Sequence, residues 1–433
     1  MGKLKQNTFL KLGLGLSAFS FLVFAGALFL DQYGIAKVFV LAGCLVFTLT
    51  MRLIPKLKGF QYTAWILLAV LAGMLFPERF LHVGEIDLRN KWLILVVVQI
   101  VMFGMGVQMS LRDFAGLAST GKGVLVGIIS QFSIMPILGY LLTRVFDFEP
   151  EIAAGIILMG SCSSGLASNV MVYLAKANLV LSVTVTAIAT LIAPIMTPFW
   201  MKTLAGTLID IRFFDMMIEI VKIVLVPIGA ALLHDYLKNS LREKRRIVYK
   251  IAMISGLLLL SLLFGIWEFS SQYFTPQMMQ SLEIFSFFLG AVCFGVLYHL
   301  FTKKVYSMGK IMPLLSMAGI VFFTTVTTAA GRDNLLQVGF LLFLASVIHN
   351  SLGYFFGFWF SRLLGLDISS SRAMALEVGL QNGGMASGLA GSMGKLGTVG
   401  LAPAVFSPWM NVSGSILANY WRKKSESREE LVN

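Results

Sequence analysis

Apolar and polar positions alternate along this chain in long blocks. About 14 apolar stretches, each of a length that crosses ~30 Å of hydrocarbon, are separated by short polar connections. They fall near 9–30, 36–54, 62–78, 92–110, 122–143, 150–176, 180–202, 212–236, 248–269, 283–302, 310–329, 335–361, 371–396 and 399–421. Such blocks predict membrane-spanning helices, because a helix satisfies its own backbone polar groups where water is absent. The first block has the outline of a signal peptide, with Lys3, Lys5 and Lys11 ahead of it and Ala25, Gly26 and Ala27 near its end. Residues 12–30 are too long for a signal-peptide core, and the next block follows after only the turn DQYG, so the first reads as a retained span.

Composition agrees: 57% of residues are hydrophobic, 13% are charged and the mean hydropathy is +0.83, values that exclude an ordinary soluble domain. The net charge of +13 does not describe a nucleic-acid-binding surface, since the basic residues sit in short connections rather than on one soluble face. With the N-terminus in the cytoplasm, alternate connections collect 24 of the 34 Lys and Arg residues, the opposite ones hold nine, and Lys222 lies within a helix. The densest cluster is Lys238, Arg242, Lys244, Arg245, Arg246 and Lys250. This asymmetry predicts both termini in the cytoplasm, an even number of crossings and a multi-pass protein of the cell membrane. Cys44, Cys162 and Cys293 all fall inside apolar blocks without metal-ligand spacing and read as reduced packing residues.

Against this background one carboxylate stands out. Glu377 lies in LEVGLQNGGMASGLAGS (376–392), and an ionised carboxylate near a bilayer centre costs roughly 2.5–3.5 kcal/mol even on lenient scales. A bound cation is the simplest compensation. A faint repeat supports this: GLASN (165–169) followed by APIMTPFW (193–200) is echoed by GMASG (384–388) followed by APAVFSPWM (402–410). Five helices ending near 202 and five ending near 421, starting on opposite sides of the membrane, form an inverted repeat, with sites expected at the repeat interface. In each half the fourth helix is interrupted by small and polar residues, at GSCSSGLASN (160–169) and GLQNGGMASG (379–388). Glycine lets the backbone unwind, and Ser, Asn and Gln oxygens suit a hard ion rather than a transition metal. The plainer reading is close helix packing by small residues. Two interruptions at corresponding places, one beside Glu377, favour an ion site.

These motifs resemble those of the bile acid:sodium symporters. The resemblance is carried by VMFGMGVQMSLRDF (101–114), QFSIMP (131–136), GLASNVMVYLAKANLVLSVTVTAIATLIAPIMTP (165–198), IHNSLGYFFGF (348–358), LEVGLQNGGMASGLA (376–390) and FSPWMNVSGSILANYW (406–421). It implies an all-α polytopic membrane protein of two inverted five-helix repeats, split into a panel domain and a core domain where two broken helices cross. Residue by residue, it implies a first sodium site of Ser168, Asn169, Ser182, Thr186 and Glu377. A second would use Gln131, Glu377 and Gln381 with the main-chain carbonyls of Val378 and Leu380. Sodium is then the coupling ion, and no other cofactor is expected.

The substrate region departs from the bile-acid pattern. Where bile-acid carriers often show a Pro-Gly-Gly-type turn and a Thr ahead of the Ser-Asn pair, this chain has Ser163, Ser164 and Leu166. Where they show a His before the Asn of the last helix, it has Met410 before Asn411. Asn382 matches and is the first candidate for a substrate hydrogen bond, with Asn411 second. Two helix pairs lie outside the ten-helix core. The implied division is an additional hairpin at 1–58, panel at 59–120, core at 121–204, panel at 205–331 with an inserted pair at about 248–302, core at 332–421 and a cytoplasmic tail at 422–433.

Other polar residues have plainer readings. Glu219 and Lys222 are three apart and can pair on one helix face. His349 reads as a packed, hydrogen-bonded histidine, and the 23 Met residues as helix packing without ligand spacing. An intramembrane hydrolase with Ser163 or Ser164 as nucleophile and His349 as base leaves Glu377 and the repeated break unexplained. A proton-coupled carrier in which Glu377 titrates, or a transporter-like sensor, are the alternatives to sodium symport. The expectation is a sodium-coupled symporter, not an enzyme, that imports an organic anion across the bilayer by alternating access.

Overall fold

The computed structural model describes residues 2–54, 57, 60–305 and 308–432. Helices account for nearly all of it. The first two, α1 (Gly2–Phe29) and α2 (Tyr33–Met51), form an antiparallel hairpin that packs through α2 on α3 (Gln61–Leu75). A one-turn helix, Pro77–Leu81, and a two-stranded hairpin pairing His82 with Asp87 and Val83 with Ile86 then lead to α4 (Lys91–Gly106). Asn90 starts α4 by accepting a hydrogen bond from Trp92 N at 2.9 Å. Next come α5 (Gly116–Val145), α6a (Pro150–Ser161), α6b (Leu166–Leu174) and α7 (Leu179–Ala205).

The rest of the chain is helical too. It runs α8 (Phe213–Asn239), the inserted α9 (Arg242–Tyr273) and α10 (Pro276–Lys304), then α11 (Met308–Ala330), α12 (Arg332–Leu363), α13a (Ile368–Gly379), α13b (Gly383–Ser392) and α14 (Leu401–Val432). Two helices are interrupted, at 162–165 and at 380–382, and each stands between two long helices. Among the described residues, nine helices are long and apolar enough to cross a membrane by length and composition, and α3, α4 and α6a are shorter apolar helices. Several helices outrun their apolar blocks, as α9 does by starting at Arg242, because helical hydrogen bonding does not stop where hydrophobicity does.

Burial identifies the centre. Every residue of Ile152–Ser161 in α6a and of Ser370–Gly379 in α13a is buried, although these segments carry Ser161, Ser370, Ser371, Arg372 and Glu377. They are enclosed by α5, α7, α12 and α14. Around this centre α3, α4, α8 and α11 contact one another as a second layer, which touches the first mainly where α13b lies on α4 and α8 lies on α7. The periphery is apolar and exposed, as at Phe29, Leu263 and Phe264, the pattern of helices solvated by lipid.

The inserted pair is docked by a charge as well as by packing. Lys222 sits in a π-helical turn of α8, Val221–Leu225, and is buried. Its Nζ lies 2.6 Å from Glu219, the partner the spacing predicted, and 2.9 Å from Glu283 on α10, which no local pattern indicated. Phe103 of α4 stacks edge-on against Phe294 and Tyr298 of α10, with centroids 4.8 Å apart in both cases.

Candidate functional site

The two interrupted helices meet at their breaks. Gly165 N donates to Leu380 O at 3.2 Å and Asn382 N to Ser163 O at 2.8 Å, so the extended residues pair as an antiparallel bridge between Ser164 and Gln381. Backbone groups freed by unwinding are thereby satisfied without water. Asn382 Oδ1 caps α13b by accepting from Met385 N at 3.0 Å. The crossing collects the C-termini of α6a and α13a and the N-termini of α6b and α13b, four helix ends with partial charges.

Glu377 lies one turn before the second break and is fully buried. Four hydroxyls donate to it: Ser168 at 2.6 Å and Ser182 at 2.5 Å to Oε1, and Ser164 at 2.7 Å and Thr186 at 2.8 Å to Oε2. Asn169 Oδ1 stands 2.7 Å from Ser182 Oγ and 3.3 Å from Thr186 Oγ1. Each hydroxyl has one proton, yet Ser182 and Thr186 each face two acceptors, and Ser168 faces Gly165 O at 2.7 Å as well as Oε1. The two carboxylate oxygens, four hydroxyls and one amide oxygen make seven oxygens that share four hydroxyl protons. The fold therefore joins all five residues of the first expected set, from α6b, α7 and α13a. Ser164 is a sixth member; its place in the serine-rich break, GSCSSG, was the only sign of it in the sequence.

The second set is brought together only in part: Gln131, Gln381 and Val378 are bonded to one another, while the hydrogen bonds of Glu377 among the described residues go to the first set and Ser164. Gln131 Nε2 donates to Gln381 Oε1 at 2.7 Å and to Cys162 O at 3.0 Å, while Gln381 Nε2 donates to Val378 O at 2.6 Å. Leu380 O already accepts from Gly165 N. Of these acceptors, Gln131 Oε1 is buried without a partner among the described residues. The two amides thus close this set on itself, whereas the Glu377 cluster is short of protons.

Leu166, Asn382, Met410 and Asn411 all line one cavity of about 380 Å³ beside the crossing, which also reaches Tyr62 of α3 and Ser316 of α11. Among the described residues, none that lines it is Lys, Arg or His. Asn382 Nδ2 is buried and lacks a partner among the described residues. Asn411 Nδ2 donates to Ser407 O of its own helix at 2.9 Å, and Met410 Sδ accepts from Gln381 N at 3.4 Å. A second cavity of about 250 Å³ reaches Asn169 and Thr186.

The hydrolase geometry does not form. Ser164 Oγ is turned to Glu377, Ser163 Oγ lies 3.9 Å from Met385 Sδ, and His349 Nε2 is bonded to Met135 O at 3.0 Å. His349 is buried, as expected of a packing residue.

Known proteins give the family. Residues 95–275 match the family described as the Sodium Bile acid symporter family. The chain is 31% identical over 380 residues to the "Uncharacterized sodium-dependent transporter YocS" of Bacillus subtilis (strain 168), covering 88% of this chain and 96% of that protein. It is 27% identical over 369 residues to the "Probable sodium/metabolite cotransporter BASS1, chloroplastic" of Arabidopsis thaliana, covering 85% of this chain and 75% of the relative. A solved structure, the sodium proton antiporter MjNhaP1 from Methanocaldococcus jannaschii, aligns with a TM-score of 0.49 at 13% identity, over 98% of this chain and 99% of that one.

Proposed function

The chain belongs to the sodium bile acid symporter family, a family of multi-pass membrane transporters rather than enzymes, and from that premise we propose that it is a sodium-coupled symporter of an organic anion. The single observation that carries this reading is the proton-poor oxygen cluster around Glu377. Seven oxygens with four protons leave lone pairs that a hard cation satisfies, and hydroxyls can turn their protons outward to present more. A titrating carboxylate needs no such shell, which favours sodium over proton coupling. Ser168, Asn169, Ser182, Thr186 and Glu377 are the ligands of the first ion, joined by Ser164. The second ion requires Gln131 and Gln381 to reverse their amides, freeing Val378 O and Gln381 Oε1.

The substrate carboxylate docks in the cavity at the crossing. With no basic side chain among the described residues that line it, it is met by Asn382 Nδ2 and the positive N-termini of α6b and α13b. Met410 and Leu166 make the rest of the wall apolar, which favours a smaller or less hydroxylated carboxylate than a conjugated bile acid. The inverted repeats divide into a panel of α3, α4, α8 and α11 and a core of α5–α7 and α12–α14. Rocking of core against panel carries the crossing from one side to the other. Both termini are cytoplasmic, and the protein resides in the cell membrane. With two sodium ions per monoanion, one net charge moves inward, worth ~2.3 kcal/mol per 100 mV. A tenfold sodium gradient adds about 1.4 kcal/mol per ion, for a total near 5 kcal/mol.

A thermal-shift screen of purified protein against carboxylates, with and without sodium, tests the reading. Stabilisation by a carboxylate only in sodium is the expected result. Equal stabilisation in sodium-free buffer at the same pH overturns the coupling.

A further inference from the structure

We propose that the inserted pair carries a binding site for the headgroup of an anionic phospholipid, at the end where α9 begins and α10 ends. Arg242, Arg246 and Lys250 are spaced four apart and exposed, so they stand one above another on one side of α9. They span about 12 Å along the axis at 1.5 Å per residue. Beside them runs a second exposed strip, Ile247, Ile251 and Ile254, at 60%, 48% and 54% exposure. Lys250 is therefore level with the apolar strip rather than in the connection before it. Lys303 and Lys304 close α10 alongside, with Lys303 Nζ 3.3 Å from Tyr249 Oη of α9.

Glu243 is the one carboxylate in the first turn of α9, against Arg242, Lys244, Arg245 and Arg246. Among the described residues, no carboxylate forms an ion pair with Arg242, Arg246, Lys250, Lys303 or Lys304. Arg242, Lys244, Arg245 and Arg246 also crowd the positive end of the α9 dipole, where cations repel. Orientation by basic connections accounts for charge between helices. It does not require a periodic strip that climbs beside an exposed apolar one. A ligand with an anionic head and an apolar tail satisfies both strips at once, which a soluble anion does not. Basic clusters next to a membrane helix attract anionic lipid in this way.

The test uses the purified full chain in neutral detergent, with phosphatidylglycerol and phosphatidylcholine titrated separately and bound lipid counted by native mass spectrometry. Wild type should retain phosphatidylglycerol preferentially. Each basic side chain near an anionic surface is worth about a fivefold gain in affinity, so Arg242→Gln, Arg246→Gln and Lys250→Gln combined should weaken that binding by about a hundredfold. Phosphatidylcholine binding should be unchanged. If the triple variant fails to fold, Arg246→Gln alone should lose about fivefold while Arg246→Lys retains affinity. Equal binding of the two lipids by wild type, an undiminished preference in the Gln variants, or displacement by millimolar inorganic phosphate, which marks a soluble-anion site, would each overturn the proposal.

Discussion

Replacing Glu377 with Gln separates its charge from its hydrogen bonds. In wild type, Ser168 and Ser182 donate to one carboxylate oxygen and Ser164 and Thr186 to the other. In the Glu377→Gln variant the amide keeps one carbonyl oxygen for the first pair and presents its N–H₂ group to the second, whose hydroxyls turn over and accept. Four contacts remain four, the side chain keeps its shape, and the fold loses only a buried charge. The cation loses far more. A unit charge at 4 Å is worth ~4 kcal/mol at an effective dielectric of about 20, or about a thousandfold in affinity. At sodium 100-fold above its Kd, wild type gains about 2.7 kcal/mol of stability, whereas a thousandfold weaker variant gains under about 0.1 kcal/mol. The assay is thermal unfolding of purified protein in sodium chloride against choline chloride at equal ionic strength, paired with uptake in vesicles. Glu377→Gln should melt near wild type in choline, show no sodium-induced rise and lose sodium-driven uptake. A sodium-induced rise as large as that of wild type would refute the assignment. Glu377→Ala should also abolish uptake, but it takes from Ser164 its one short acceptor, at ~1–3 kcal/mol for a hydroxyl left unpaired, while Ser168 keeps Gly165 O and Ser182 keeps Asn169 Oδ1, so its loss is less specific.

Gln131→Ala should lower apparent sodium affinity and flatten the sodium dependence of uptake while sparing the Glu377 cluster; an unchanged sodium curve counts against a second ion at Gln131. In a competition assay in sodium-loaded vesicles, taurocholate should compete poorly against pantothenate, short keto acids and unconjugated apolar carboxylates. Taurocholate as the tightest competitor, with Met410→His making no difference, would remove the argument from Met410 and Leu166. Lys222→Ala leaves Glu219 and Glu283 facing each other and should destabilise the protein by about 2 kcal/mol, below the ~3–5 kcal/mol of a fully buried pair because both carboxylates are partly solvated. Thermal unfolding measures it, and a loss no greater than that of Glu283→Gln would show that packing alone docks the inserted pair.

Helix positions, the two breaks and Glu377 as a charge in need of partners were legible in the chain itself. Each is a local property: a block of apolar residues long enough to span hydrocarbon, a run of glycines and serines that weakens a helix, a lone carboxylate with no polar neighbours in its own turn. The pairing of Glu219 with Lys222 was legible for the same reason, since three residues on a helix fix the distance. Contacts across the chain were not. Ser164 and Glu377 are 213 residues apart, and only the antiparallel bridge between the breaks turns that serine toward the carboxylate. Glu283 reaches Lys222 only because α10 lies against α8. The family motifs named Gln131 and Gln381 as companions, yet that their amides are bonded to each other depends on side-chain rotation, which no spacing encodes. Sequence alone determined which groups are too polar for lipid and so must find partners. The tertiary structure decided which partners they find, because hydrogen bonds at 2.5–2.8 Å demand a placement set by the packing of α6b, α7 and α13a together.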